Sequence, residues 1–292
     1  MTTAEFTRMG LESLSHGHYD AAINMLRQAL GNDQNDQPAR FGLAQALHRR
    51  GNLTEAIYEY QTVLRTEPDH QMALRQLAEV YLLSGKPRQA LNNLDIALRA
   101  KPGDPDLLAA HGMAQLELGH HRTALADFHS ASRLRPGDSM IHHMIALCYR
   151  AEKDIEGERR ALDQLLRITP HSLACLNDIG RLEMLEGNYG SALDYFDRAL
   201  LTMPTSPTAL TNRAIALTVL GDETARDAWD TAIKADANAP EDGLRNAAIA
   251  QLHELAGDLL TDGNTGDGDV NADSAGQRHY LASGALAMST IV

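Results

Sequence analysis

The chain has 292 residues, 43% of them apolar and only 4% aromatic, and its 39 acidic against 26 basic side chains give a formal net charge of −13. So acidic a balance excludes nonspecific nucleic-acid binding and attraction to anionic membranes as leading activities, and two cysteines exclude a disulfide framework or a four-thiolate zinc site. No stretch reaches the roughly 18 apolar residues of a membrane span and residues 1–6 lack the basic-then-apolar order of a leader, so a soluble, cytoplasmic protein is expected.

From its start the chain repeats itself every 34 residues. Units beginning at Thr3, Gln37, Gln71, Pro105, Ser139, Leu173 and Pro207 cover 3–240 with no insertion. Mostly apolar residues at positions four, seven and eleven, complete in the third unit as Leu74, Leu77 and Tyr81, join a small residue at position eight in every unit. That set runs Gly10, Ala44, Ala78, Gly112, Ala146, Gly180 and Ala214. The stripe is that of an amphipathic helix with one face open to close approach.

Position fifteen carries Gly17, Gly51, Gly85, Gly119, Gly187 and Gly221, where a left-handed residue can end the helix. A second stripe follows at positions twenty, twenty-four and twenty-seven, as in Ala192, Phe196 and Ala199. Pro68, Pro102, Pro136, Pro170 and Pro204 then close five of the units. This pattern resembles the tetratricopeptide repeat. The resemblance implies an all-α fold: a right-handed α-solenoid of stacked antiparallel helix pairs whose first helices line a concave groove, with stability shared between neighbours.

The fifth unit departs from the pattern, with Lys153 for the turn glycine, Glu158 for the small residue and Leu165 where alanine is usual. A changed spacing of that helix pair is expected. After Gly221 the seventh unit runs one residue short, which brings Ala225, Trp229 and Ala232 into the register of the second stripe. Residues 241–260 trace one further apolar stripe (Leu244, Ala248, Leu252, Leu255, Leu259) and read as a helix capping the last repeat. Residues 261–292 open with a glycine- and aspartate-rich stretch expected to be a flexible linker, and end in an apolar tail. That tail could be captured by a partner, fold back on the groove, or stay unstructured. Eight acidic and two basic residues lie in 241–292.

In this family positions 2, 5, 9 and 12 of each first helix face the groove. They supply a mixed lining that includes Phe41, Gln45, His48, Arg75, Glu79, Met113, Met140 and His143. Methionine adapts to variable apolar ligands. Asn177, Arg181, Asn212 and, on the terminal helix, Arg245 and Asn246 gather polar groups suited to an extended peptide, since an amide both gives and takes a hydrogen bond and a guanidinium grips a carboxylate. Each arginine could instead complete a pair on its own helix: Asp178 with Arg181, Arg75 with Glu79, Glu241 with Arg245. The residues by which some relatives hold a chaperone's carboxylate terminus are matched only at Asn212, which disfavours that ligand.

His111, His120, His121, His129, His142 and His143 crowd the fourth and fifth units, but helical placement makes them diverge, so no metal is expected. A hydrogen-bonded core pair of His111 and His142 is expected instead. The stretch from Asp262 to Asp273 fails as a calcium loop, because aligning Gly268 on the loop's invariant glycine puts Gly263 at the first position and Ser274 at the twelfth, where carboxylates are needed, and a flexible linker is expected instead. No activated nucleophile, phosphate loop or cofactor fingerprint is present in the sequence. The reading is a non-enzymatic scaffold that binds a peptide or protein segment in its groove, without cofactor. Its rivals are a self-assembling structural protein, hence a homo-oligomer, and a helper subunit for a glycosyl- or sulfo-transfer system or a protease encoded elsewhere.

Overall fold

The computed structural model describes residues 1–237 and contains fourteen α-helices and no strand among them. The expected helix over 241–260, the tail over 261–292, and Arg245 and Asn246 lie outside the described residues. None of the described helices is long and apolar enough to cross a membrane.

The first helices are α1 (Thr3–Ser15), α3 (Gln37–Arg50), α5 (Gln71–Leu83), α7 (Pro105–Glu117), α9 (Ser139–Ala151), α11 (Leu173–Leu185) and α13 (Pro207–Leu220). The second helices are α2 (Tyr19–Asn32), α4 (Leu53–Thr66), α6 (Pro87–Ala100), α8 (His121–Leu134), α10 (Ile155–Ile168), α12 (Tyr189–Thr202) and α14 (Ala225–Ala237). Helices α1–α9 form one compact unit, and the remainder, from Ile155, a second. Within each unit consecutive helices pack on one another. First helices also touch the next first helix, α1 to α3 through α9 in one unit and α11 to α13 in the other.

A capping period explains why the first helices start where they do. Thr2, Asp36, His70, Asp104, Asp138, Ser172 and Ser206 recur every 34 residues, and each side chain accepts a hydrogen bond from a backbone amide in the first turn of its helix. A short polar acceptor there satisfies amides that the helix leaves orphaned. Thr2 goes further and forms a reciprocal capping box with Glu5.

The turns between paired helices use a left-handed residue. The six glycines at position fifteen have φ between 65° and 86°, and Lys153 takes the same place with φ 59°. The turn therefore survives the loss of its glycine, at the steric cost of a Cβ in the left-handed region.

Packing within a pair couples position eight to position twenty-four. Phe128 and Phe196 are fully buried, and each lies over a glycine. A Cβ on Gly112 would come within 2.9 Å of Phe128 Cε1, and one on Gly180 within 2.5 Å of Phe196 Cε1. Where position twenty-four is Leu94 the small residue is Ala78, and both are buried. At Gly112 and Gly180 the ring leaves no room for a methyl group, but ring size alone does not set the partner, since in the same register Tyr60 has Ala44 and Leu26 lies over Gly10.

The anticipated pair of His111 and His142 does not form. His111 sits between two carboxylates, with Nδ1 2.7 Å from Asp127 and Nε2 3.4 Å from Asp95, while His142 Nε2 lies 2.9 Å from the Pro136 carbonyl. The hydrogen bond to Asp127, with the charges of both acids, raises the pKa of His111 above the ordinary 6.5 despite partial burial. A histidine whose pKa is raised on folding stabilises the fold fully below the unfolded value, and loses that contribution as pH climbs through the folded one. Melting temperatures measured from about pH 5.5 to 8.5 should therefore fall more steeply above pH 6.5 in the native chain than in His111→Gln. Parallel curves would show that the imidazolium contributes nothing.

Candidate functional site

In the N-terminal unit the first helices border a half-open cavity of about 490 Å³. It is lined by Leu11, Leu14 and Ser15 of α1, Gln45, His48 and Arg49 of α3, and Arg75, Gln76 and Glu79 of α5, with Tyr19 and Tyr60 from second helices. Tyr60 forms its fully buried floor, and its hydroxyl donates to Gln76 Oε1 at 2.8 Å. Burial raises the pKa of that phenol, and among the neighbouring charges Glu79 raises it while Arg49 and Arg75 lower it. His48, edge-on to the Tyr60 ring with centroids 6.5 Å apart, has its pKa lowered chiefly by burial, so it is neutral at pH 7.

The expected pair of Arg75 with Glu79 is absent. Among the described residues neither Arg75 nor Arg49 has a carboxylate within ion-pair distance. The cavity thus holds two guanidinium groups with unused donors, one carboxylate, two side-chain amides, a neutral imidazole and a leucine pair. Such a set can grip carboxylates, hydrogen-bond peptide amides and cover an apolar side chain.

The other sequence candidates are spread along both units. Phe41 packs, its ring edge-on to Tyr60 at 6.0 Å and tilted on His70 at 4.8 Å. Met113 is partly buried against the N-terminal core. Met140 is 61% exposed on α9, and His143 is half-buried on the same helix.

In the C-terminal unit Asn177 of α11 and Asn212 of α13 are both buried. Asn177 Oδ1, Asn212 Oδ1 and the neighbouring Thr211 Oγ1 have no hydrogen-bond partner among the described residues. Arg181 is committed elsewhere. Its pairing with Asp178 does not form, and its Nη2 instead donates to Glu158 of α10, a carboxylate that is itself buried. Arg159 beside it bridges Glu183 at 2.6 Å and Glu186 at 2.9 Å. The glutamate that breaks the small-residue rule therefore serves as the counter-ion of an arginine on the following helix.

The same groove rule that selects Gln45 and Arg75 selects Leu11 and Leu14 when applied to the first unit. Arg49 and Gln76 lie one position beyond the rule, and Tyr60 enters from the second stripe because its ring is long enough to reach between α3 and α5.

Helix pairs repeated at a fixed period, with a residue in the left-handed region at each turn, define an all-α helical-repeat protein. Models of the Tetratricopeptide repeat match residues 7–71 and 109–172, and a second model of that description matches 47–114. Together they span more than half of the sequence, and the chain belongs to the tetratricopeptide repeat family. No curated protein matches it in sequence.

Solved structures resemble it in fold. A tetratricopeptide repeat protein from Parabacteroides merdae is 17% identical, with 87% of this chain and 98% of that chain covered and a TM-score of 0.65. Pseudomonas aeruginosa pilF is 19% identical over 71% of this chain and 94% of its own, with a TM-score of 0.60. A MamA chain from Desulfovibrio magneticus is 18% identical over 58% and 96%, with a TM-score of 0.56. At these identities the likeness is one of fold, and a fold of this kind is in general a protein-interaction scaffold.

Proposed function

We propose that this chain is a non-enzymatic adaptor whose first-helix faces hold a segment of a partner protein, with the cavity of α1, α3 and α5 as the principal seat. The observation that carries the reading is that cavity, in which a buried tyrosine floor, side-chain amides and unpaired arginines meet within one unit. Asn177 and Asn212 extend the reading to the C-terminal unit, where buried amide oxygens await donors of the kind a peptide backbone offers.

Filling the cavity tests the proposal. Capture from a native lysate with the full chain and with Gln45→Trp, identified by mass spectrometry, should give a partner that the native chain retains and the variant loses. Circular dichroism should show the same helicity for both. Retention of every partner by the variant would remove the cavity from the function, and recovery of the chain alone would favour self-assembly.

A further inference from the structure

The proposed groove function leaves the chemistry of the segment open, and the lining of the cavity narrows it. The chain as a whole carries a net charge of −13, so a cavity whose cations outnumber its anions runs against the molecular average. Arg49 and Arg75 both line it, Glu79 is the one acid in the lining, and His48 is held neutral by burial. The two arginines come from different helices, α3 and α5, yet both bear on the same phenol, that of Tyr60. Both line the same cavity, where Glu79 bears on that phenol in the opposite sense.

Several other arginines of the N-terminal unit are tied to carboxylates, although Arg65 and Arg133 donate to hydroxyls instead. Arg40 meets Glu59 at 2.7 Å, Arg50 meets Asp20 at 2.8 Å, and Arg135 grips Asp106 with two bonds of 2.6 and 2.8 Å. Arg75 has Glu79 one turn away and makes no such pair among the described residues. A guanidinium offers five donors in a fixed fork that matches a carboxylate, and donors left unused around a concave seat are available to one supplied from outside. Beside them Leu11 and Leu14 supply apolar surface from α1, while the Gln45 and Gln76 amides can pair with peptide units.

From this charge complementarity we infer that the cavity selects an acidic peptide segment. Two carboxylate side chains of the segment lie on Arg49 and Arg75, and an apolar residue next to them lies on Leu11 and Leu14. The inference rests on the groove reading above and adds to it the class of sequence that is bound. Because the contacts are ionic and partly exposed, binding weakens as salt rises.

The test is a selection of random dodecapeptides displayed on phage against the immobilised full-length chain, against Arg49→Gln/Arg75→Gln, and against the cavity-filled Gln45→Trp. The expected result is enrichment on the native chain of peptides with two or more acidic residues beside an apolar one. The enriched peptides, resynthesised and labelled, should bind about ten-fold or more weakly to the double arginine variant, since each lost charge-assisted bond is worth a factor of about ten.

Enrichment of neutral or basic peptides that the cavity-filled variant no longer binds would overturn the acidic inference and leave the groove reading standing. Enrichment that is the same on Gln45→Trp, or none above that variant, would overturn both. Circular dichroism melts of the variants separate lost binding from lost folding. Should the double arginine variant unfold, Arg49→Lys/Arg75→Lys keeps the charge and removes the fork, and unaltered binding to it in rising salt would likewise overturn the pairing geometry.

Discussion

Glu158→Ala is expected to destabilise the protein by about 3–5 kcal/mol, the largest effect of any single substitution considered. Glu158 is 3% exposed and accepts from Arg181, whose side chain is 13% exposed. Removing the acid leaves a guanidinium in a nearly dry place with no counter-charge, and the Nε of Arg181 is already without a partner. The desolvation of that cation is then uncompensated. The pair as a whole need not stabilise the fold, because two charges brought out of water recover little more than they lose. Glu158→Ala with Arg181→Met should accordingly stand close to the native chain or above it. Chemical denaturation of the two variants checks the order, and equal losses in both would mean that the ion pair is not what the site depends on. Arg181 is therefore a poor position at which to probe binding, since Arg181→Ala uncovers a buried carboxylate. Asn177 and Asn212 are the informative substitutions on that face.

The second large effect follows from the fit of ring over glycine. Gly180→Ala should cost about 1–3 kcal/mol, because a methyl group placed 2.5 Å from Phe196 Cε1 forces either the ring or the helix to shift. A glycine in mid-helix is ordinarily improved by alanine, so the sign here is decided by packing against propensity. Phe196→Leu alone leaves a void and should cost about 1 kcal/mol or more. Combined, the two reproduce the alanine-with-leucine pairing of Ala78 and Leu94, and the double variant should be more stable than the sum of the singles by about 1 kcal/mol. Additive losses would show that position eight and position twenty-four are not coupled through contact.

Much of the helix pattern is legible in the chain because it rests on local chemistry repeated many times. Small residues at position eight, glycine at fifteen and alanine at twenty each answer a steric demand that recurs in most pairs. The caps at Asp36, Asp104, Asp138, Ser172 and Ser206 carry the same period and were equally open to reading. What is less legible depends on one side chain meeting another across helices. Lys153 departs from the turn residue, yet the backbone there keeps its left-handed φ of 59°. Glu158 departs from the small residue, and its reason lies 23 positions away on another helix.

The candidate site divides along the same line. Arg75 is indicated by the groove rule, whereas its lack of a partner depends on a rotamer that spacing does not determine. Glu79 stands at the right interval for a helical pair and does not make one among the described residues. Phe41 satisfies the rule and packs instead on Tyr60 and His70, because an aromatic ring at that position gains more from neighbouring rings than from solvent. Tyr60 reaches the cavity from a second helix by size, which a rule written for first helices passes over.

The adaptor reading stands or falls on whether a partner segment lies in the cavity of α1, α3 and α5. Site-specific photo-crosslinking in cells measures this most directly, with a benzophenone side chain placed at position 45 in the cavity and, as a control, at partly exposed Thr62 on α4, which does not line it. A discrete crosslinked partner from position 45, absent from position 62 and abolished by Arg49→Gln/Arg75→Gln, is the result predicted. Crosslinks of equal yield from both positions, or from position 62 alone, would contradict it.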